Sequence, residues 1–347
     1  MRIVVVGATG NVGTSLISAL ECDPEVTSIV GVARREPSWR PAKVEWRTGD
    51  VRTADLVPMF SGADAVVHLA WIFGPTHDPA ATWQTNVIGS TRVFRAAAEA
   101  GVSTLICASS VGAYSPGPQD RAIDESWPTH GWPGAAYSRE KAYVERLLDS
   151  FEREHPGIRV VRMRPAFIVK RESATEQWRL FAGPLMPQRV VRPGLIVPDI
   201  PGMRFQLVHT ADAAEAYRLA LLRPVSGAFN IAADPVIDGD VLAEMLRARR
   251  VRMPAWLVRG AVAAGWRARL IPASPGMVDL LLHLPIMDTT RARTELGWRP
   301  RYSATEALRE VLDGLRGRAG METPPLSPEG GVERIKRLMT GVGSRLL

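Results

Sequence analysis

Arg2-Ile3-Val4-Val5-Val6-Gly7-Ala8-Thr9-Gly10-Asn11-Val12-Gly13 follows the initial methionine, and its reading decides the fold. Ile3 to Val6 form an unbroken β-branched run, the mark of a strand buried on both faces of a parallel sheet. A G-x-x-G-x-x-G turn follows at once, and from Asn11 to Glu21 apolar residues recur at helical spacing. Glycines at such a turn let the backbone bend sharply and approach a pyrophosphate. The helix start adds unpaired N–H groups and the positive end of its dipole, and Gly13 lets the helix lie close to the strand. The order strand, glycines, helix predicts a dinucleotide-binding unit contacted through Gly7, Thr9, Gly10, Asn11, Val12 and Gly13. The spacing departs from G-x-G-x-x-G, and the bland alternative is a structural βα turn.

Working outward, β-rich runs at 3–6, 29–33, 44–47, 65–69, 104–108 and 160–163 alternate with helical patterns at 11–21, 54–60, 82–100 and 137–154. This alternation predicts an α/β fold with a doubly wound parallel Rossmann sheet. Residues 1–165 read mainly as the dinucleotide-binding domain. Residues 166–320 read mainly as a smaller C-terminal substrate-binding subdomain with segments interleaved into the sheet, and 321–347 as a linker and tail. In the second part, helices fit 210–222, 239–249 and 305–315, a strand fits 228–232, and 254–284 is apolar with helical spacing.

The 347 residues are 46% hydrophobic and 23% charged, which excludes disordered, collagen-like and disulfide-framework classes. The formal net charge is +7. Such an excess raises nucleic acid or an anionic membrane as partners. Of the 43 basic residues only four are lysine (Lys43, Lys141, Lys170 and Lys336), and the arginines are scattered, the pattern of a GC-rich coding bias. No nucleic-acid partner is expected. Cys22 and Cys107 are too few for a disulfide framework or a four-ligand metal site, so no metal is expected, and a cytoplasmic location fits. The N-terminal apolar run is too short for a signal peptide, and no run approaches the length of a transmembrane segment.

The second strand ends at Ala33-Arg34-Arg35, without the acidic residue that would bond a ribose 2′-hydroxyl. A guanidinium pairs well with a 2′-phosphate, so Arg34 and Arg35 favour NADP, with NAD as the alternative; two solvated arginines would be the neutral explanation. Tyr137 and Lys141 stand four apart on one helix face. A neighbouring ammonium favours the phenolate, so the pair can exchange a proton with a carbonyl or alcohol oxygen. Ser109 and Ser110 follow the strand at 104–108, at the sheet end where doubly wound folds place their sites.

Together these residues resemble the extended short-chain dehydrogenase/reductase family, also called the NAD-dependent epimerase/dehydratase family. Further matching segments are Gly49-Asp50-Val51-Arg52, Val67-His68-Leu69-Ala70, Asn86-Val87-Ile88-Gly89, Arg164-Pro165, Val208-His209-Thr210-Ala211-Asp212 and Leu296-Gly297-Trp298-Arg299-Pro300. The resemblance implies that Asp50 bonds the adenine amine, with Val51 beside it, and that Leu69 and Ala70 line the cofactor. Asn86 would be the structural asparagine of the catalytic set, Ser110 the catalytic hydroxyl, Tyr137 the acid/base, and Lys141 the ribose-binding group that tunes Tyr137. Pro165, Phe167 and Ile168 would pass beside the nicotinamide. A homodimer through the helices at 82–100 and 137–154 is also implied.

Departures from the family pattern bear on the substrate. Ser110-Val111-Gly112 lacks the two carboxylates of the dehydratases. Phe205 stands where nucleotide-sugar enzymes carry a diphosphate-binding arginine, and Pro275 to Leu282 is apolar where a second is usual. Trp256, Leu257, Val258, Val262, Trp266 and Ile271 extend that apolar stretch, as pocket lining or as the subdomain's core. The expected protein is an NAD(P)-dependent oxidoreductase acting on a non-nucleotide, hydrophobic small-molecule carbonyl or alcohol. The rivals are a sugar epimerase and, from another class, a nonenzymatic cofactor-sensing or RNA-binding protein. The basic segment 332–339 is expected to dock on its own domain or to be a frayed end, rather than to touch a membrane.

Overall fold

Ile3, Val4, Val5 and Val6 are almost wholly buried because their strand has a neighbour on each side and helices on both faces. The computed structural model describes residues 1–73, 77–118, 120–181, 196–271, 273–317, 319–323 and 325–326. In chain order its strands are β1 (Arg2–Val6), β2 (Ser28–Ala33), β3 (Val44–Thr48), β4 (Ala65–His68), β5 (Thr104–Ala108), β6 (Arg159–Pro165), β7 (Phe167–Val169), β8 (Ile196–Asp199), β9 (Phe205–His209), β10 (Gly227–Ile231), β11 (Ala233–Ile237) and β12 (Arg249–Arg252). The helices are α1 (Asn11–Glu21), α2 (Val57–Phe60), α3 (Pro79–Trp83), α4 (Gly89–Glu99), α5 (Ala136–Glu154), α6 (Ala174–Phe181), α7 (Thr210–Leu222), α8 (Gly239–Leu246), α9 (Ala255–Arg267), α10 (Pro275–His283), α11 (Thr290–Thr294) and α12 (Ala304–Gly317).

Seven strands form one sheet in the order β10-β6-β5-β4-β1-β2-β3, all parallel. The order reverses between β1 and β4, which opens a crevice at their C-terminal ends. Side chains alternate across β1. Ile3 and Val5 join Leu16, Ile17 and Tyr217 under α1 and α7, while Val4 and Val6 join Val93, Phe94 and Leu148 under α4 and α5. The strand β10 comes from the second half of the chain and completes the sheet beside β6. A three-stranded sheet, β11-β9-β7, and a parallel pair, β12-β8, lie beyond it.

The structure departs from the periodicity reading in several places. The stretch 54–60 keeps only a short helix, α2. The stretch 82–100 is broken by a π-helical turn at Gln84–Ile88. The helix expected over 239–249 stops at Leu246, where Arg247 adopts a left-handed φ of 48°, and the chain turns into β12. The apolar stretch 254–284 is two helices, α9 and α10. The short strands β7, β8, β9, β11 and β12 carry too few residues for period-two alternation to stand out. Most of the expected linker and the whole 332–339 segment lie outside the described residues.

Two late sequence motifs meet in the core. Trp298 is fully buried, and its indole Nε1 donates to the carbonyl oxygen of Asp212 at 2.7 Å. The Asp212 carboxylate accepts from the backbone N–H of Arg301 and Tyr302. Both motifs are thus fastenings of α7 under the sheet. Trp298→Ala is expected to lower unfolding stability by about 3–5 kcal/mol, read from the shift of the urea midpoint at unchanged slope.

Candidate functional site

A cavity of about 650 Å³ runs along the crevice at the C-terminal ends of the central strands. Gly7, at φ +90°, turns the chain out of β1, and a side-chain carbon there would meet Ala70 N at 2.6 Å. A carbon on Gly13 would meet Gly7 O at 2.4 Å, so this glycine lets α1 start against the loop. Gly10 caps α1 without any side-chain hydrogen bond, and the first turn carries no acid. The helix therefore points its first N–H groups and positive dipole end at the cavity. That cradle fits a pyrophosphate.

Of the residues named from sequence, Gly7, Thr9, Gly10, Asn11, Val12, Gly13, Arg34, Arg35, Val51, Leu69 and Ala70 line one stretch of the wall. Ser110, Tyr137, Lys141, Pro165, Phe167 and Ile168 line the other. Arg34 and Arg35 are exposed at the end of β2. Three steps across the sheet separate β2 from β5, so Arg34 stands about 14 Å from the Ser110 end.

Two of the named residues stand outside the wall. Asp50 is engaged by Arg52, whose Nε and Nη2 donate to its two oxygens at 3.0 and 2.8 Å. That pairing holds the carboxyl below its usual range, and the Arg34 charge adds to the effect. Asn86, expected within the catalytic set, is fully buried behind the wall. Its side chain accepts from Ile72 N and donates to Ile72 O and to the Glu140 carboxylate at 2.7 Å. Asn86 thus ties the π-helical turn to the Ile72 backbone and to Glu140.

At the other end of the cavity, Ser110 follows β5, and its Oγ accepts from Gly112 N. Ser110 Oγ and the Tyr137 ring both lie against Gly112. Its neighbour Ser109 is committed elsewhere, since its Oγ donates to the buried Glu145 carboxylate. This separates the two serines: Ser110 faces the tyrosine and Ser109 braces the frame. Burial pushes the Tyr137 phenol up to about 12, with the nearby Ser110 hydroxyl acting in the opposite direction. Lys141 does not supply the expected lowering. Its Nζ donates to Ala108 O at 2.7 Å and lies 3.5 Å from the Trp71 ring centroid. Burial depresses Lys141 to about 8.

Several wall residues carried no motif in the sequence. Trp71 and Phe73 meet the Tyr137 ring edge to face, with centroids 6.1 and 4.8 Å away. Tyr217 and Thr85 also reach the wall, each with a buried hydroxyl lacking a partner among the described residues. Beyond Tyr137 the wall is apolar: Phe205, Leu207, Met277, Val278, Leu281 and Leu284. Phe205 lines the cavity, as do Met277, Val278, Leu280 and Leu281 of the 275–282 segment. Trp256, Leu257, Val258, Val262, Trp266 and Ile271 do not line it, because α9 packs outside α10. No cluster of metal-ligating side chains occurs among the described residues.

Lys141 ties the site to pH. Its ammonium is costly in the fold, since the folded group titrates near 8 against a usual 10.5. That cost is present in full below pH 8 and is relieved as pH rises from 8 to 10.5, where the unfolded chain still holds the proton. Lys141→Met is expected to unfold at a higher temperature than the native chain at neutral pH, with the gap closing across that window. A gap independent of pH in thermal scans would contradict the assignment.

Comparison with known proteins agrees with this geometry. The family model described as "NAD dependent epimerase/dehydratase family" matches residues 3–232. An uncharacterised protein of Mycobacterium tuberculosis is 29% identical over 328 residues, covering 92% of this chain and 31% of that protein. The chain thus spans about a third of the length of the first curated relatives it matches. The 4-hydroxy-2-methyl-3-oxo-4-farnesyl-3,4-dihydroquinoline-1-oxide ketoreductase of Stigmatella aurantiaca is 26% identical over 355 residues, covering 94% of this chain and 99% of that one. Among solved structures, Thermus thermophilus UDP-glucose 4-epimerase in complex with NAD superposes with a TM-score of 0.68 at 20% identity, covering 91% and 99% of the two chains.

Proposed function

The chain belongs to the NAD dependent epimerase/dehydratase family, and from that premise we propose that it is an NADP-preferring oxidoreductase acting on a carbonyl or alcohol carbon of a hydrophobic, non-nucleotide small molecule. The observation that carries this reading is the convergence of Ser110, Tyr137 and Lys141 on one cavity wall, between a glycine-lined and an apolar half. The Gly7–Gly13 loop, Arg34, Arg35, Lys141 and the Pro165–Ile168 segment would hold the dinucleotide. When bound, its nicotinamide gives or takes the hydride.

The chain's own residues handle the substrate oxygen. Ser110 holds it by a hydrogen bond, and Tyr137 gives or takes its proton. With burial keeping the phenol near 12, Tyr137 enters the reaction protonated, the form that donates to the oxygen of a carbonyl being reduced. Trp71 and Phe73 exclude water from the phenol. Among the described residues the wall's cations are Lys141, Arg34 and Arg35, and no described residue of the substrate half offers a guanidinium for a diphosphate. Phe205 and α10 suit an apolar substrate instead. The farnesyl-bearing substrate named for the Stigmatella relative belongs to that chemical class. Cys22 and Cys107 are free thiols, which fits a reducing cytoplasm. The same reading pairs two copies through α4 and α5, near which Ile88 and Tyr143 are exposed.

Tyr137→Phe is expected to cut the NADPH-dependent reduction of apolar ketones about 10²–10⁴-fold with cofactor affinity retained; full turnover by this variant would end the proposal. Turnover without net change in nicotinamide absorbance would favour epimerisation. Arg34→Ala is expected to weaken NADPH binding about tenfold, the loss of one charged pair with a phosphate, while leaving NADH binding unchanged in calorimetry. Equal effects on both would return the choice to NAD.

A further inference from the structure

Residues 245–278 contain seven arginines and no aspartate or glutamate, so this one stretch carries +7, the formal charge of the whole chain. Arg250 is paired with Asp240 and Arg259 with Asp279, each at 2.8 Å. Arg247, Arg249 and Arg252 before α9, and Arg267 and Arg269 at its far end, are exposed and form no ion pair with a described residue.

Between these two groups runs α9, none of whose residues is buried. Val258, Val262 and Trp266 are half-buried on its inner side. Its outer side is Trp256, Leu257, Gly260, Ala261 and Ala264, spaced three to four apart in pairs and all exposed. Trp256 is 72% exposed and Leu257 45%, and Leu270 just beyond the helix is 51% exposed. A surface helix of a water-soluble fold turns its polar side outward. This helix turns an uncharged, apolar side outward and concentrates its charge at its two ends.

We propose that residues 247–270 form a peripheral membrane-docking surface, with the outer side of α9 entering the headgroup region of an anionic bilayer and the arginines at both ends binding lipid phosphates. An indole and leucines flanked by arginines match that boundary layer: the apolar groups enter the acyl edge, and the guanidinium stems lie along it with their heads at the phosphates. The helix of 13 residues is about 20 Å long, too short to span a bilayer and suited to lying in its plane. A second copy fits poorly, since it would set five unpaired arginines against the same five. Nucleic acid would use the charge but leave the leucine and alanine face unused. The docking stands independently of the reaction proposed above. It would bring the bilayer against α9, whose inner neighbour α10 forms the apolar end of the cavity.

The test uses the purified full chain and vesicle co-sedimentation, with no turnover involved. The protein is expected to sediment with phosphatidylcholine vesicles that contain phosphatidylglycerol, not with phosphatidylcholine alone, and to be released by salt. The double variant Trp256→Ser, Leu257→Ser is expected to lose at least about tenfold in vesicle affinity. Its melting temperature should not change, because both side chains are exposed. Arg267→Glu with Arg269→Glu should abolish the preference for phosphatidylglycerol. The proposal is overturned if the native chain does not sediment with the anionic vesicles, or if the double variant binds them as well as the native chain does. It is equally overturned if the serine substitutions reduce self-association in sedimentation velocity instead, or if the arginine substitutions remove salt-sensitive binding of single-stranded RNA and leave vesicle binding intact.

Discussion

A buried carboxylate, Glu145, holds together the parts on which this site depends. It lies on α5 one helical turn past Lys141, and both of its oxygens are engaged. Arg164 donates to them at 2.9 and 3.0 Å, Arg162 at 3.1 Å, and Ser109 completes the set. Burial alone would raise its pKa, but the hydrogen bond and charge of Arg164, aided by Arg162, hold it near 2. The ion pair thus fastens the helix of Tyr137 to β6, and the serine fastens the end of β5. Removing one member of such a pair strands a buried charge, at a cost of about 3–5 kcal/mol. Arg164 reaches further, to the Tyr114 hydroxyl, which donates to Asn230 on β10. Ser110 and Tyr137 are therefore set by a charged frame behind them rather than by the wall they form.

The frame explains the division of labour among neighbours that look alike in sequence. Ser109 and Ser110 are adjacent, and the frame takes one and leaves the other to the tyrosine. Glu140 and Lys141 are adjacent too. Glu140 turns into the protein toward Thr82 and Asn86, while the Lys141 ammonium stays at the cavity between Ala108 O and the face of Trp71. Desolvation acts on Tyr137 and Lys141 in opposite directions, raising the phenol and lowering the ammonium. Both effects favour the neutral forms, as a dry, apolar cavity end requires.

Much of the fold was legible in the chain, and so was the placement of several candidate residues on one cavity. The β1–loop–α1 unit and the central strands follow from periodicity, the Tyr137/Lys141 pair from spacing on one helix, and the choice of Ser110 over Ser109 only from the family resemblance. Trp71 and Phe73 carried no signal, because an aromatic after a strand is ordinary until the fold sets it against Tyr137. The arginine excess is spread along the chain, but residues 245–278 hold seven arginines and no acid. That five of these are exposed and form no ion pair with a described residue is a property of the tertiary structure.

Sequence by itself determined the alternation of strands and helices, the glycine turn and the chemical groups at hand, because these depend on backbone sterics and on spacing within single elements. Tertiary structure decided which of those groups share a space. It withdrew Asn86 from the cavity to hold Ile72, gave Asp50 to Arg52, turned Lys141 onto Trp71, and placed α9 outside the pocket with its apolar side to solvent. Apart from the local Asp50–Arg52 pair, each of these outcomes depends on contacts between residues well separated in the chain, and their energies arise only when burial removes water from both partners.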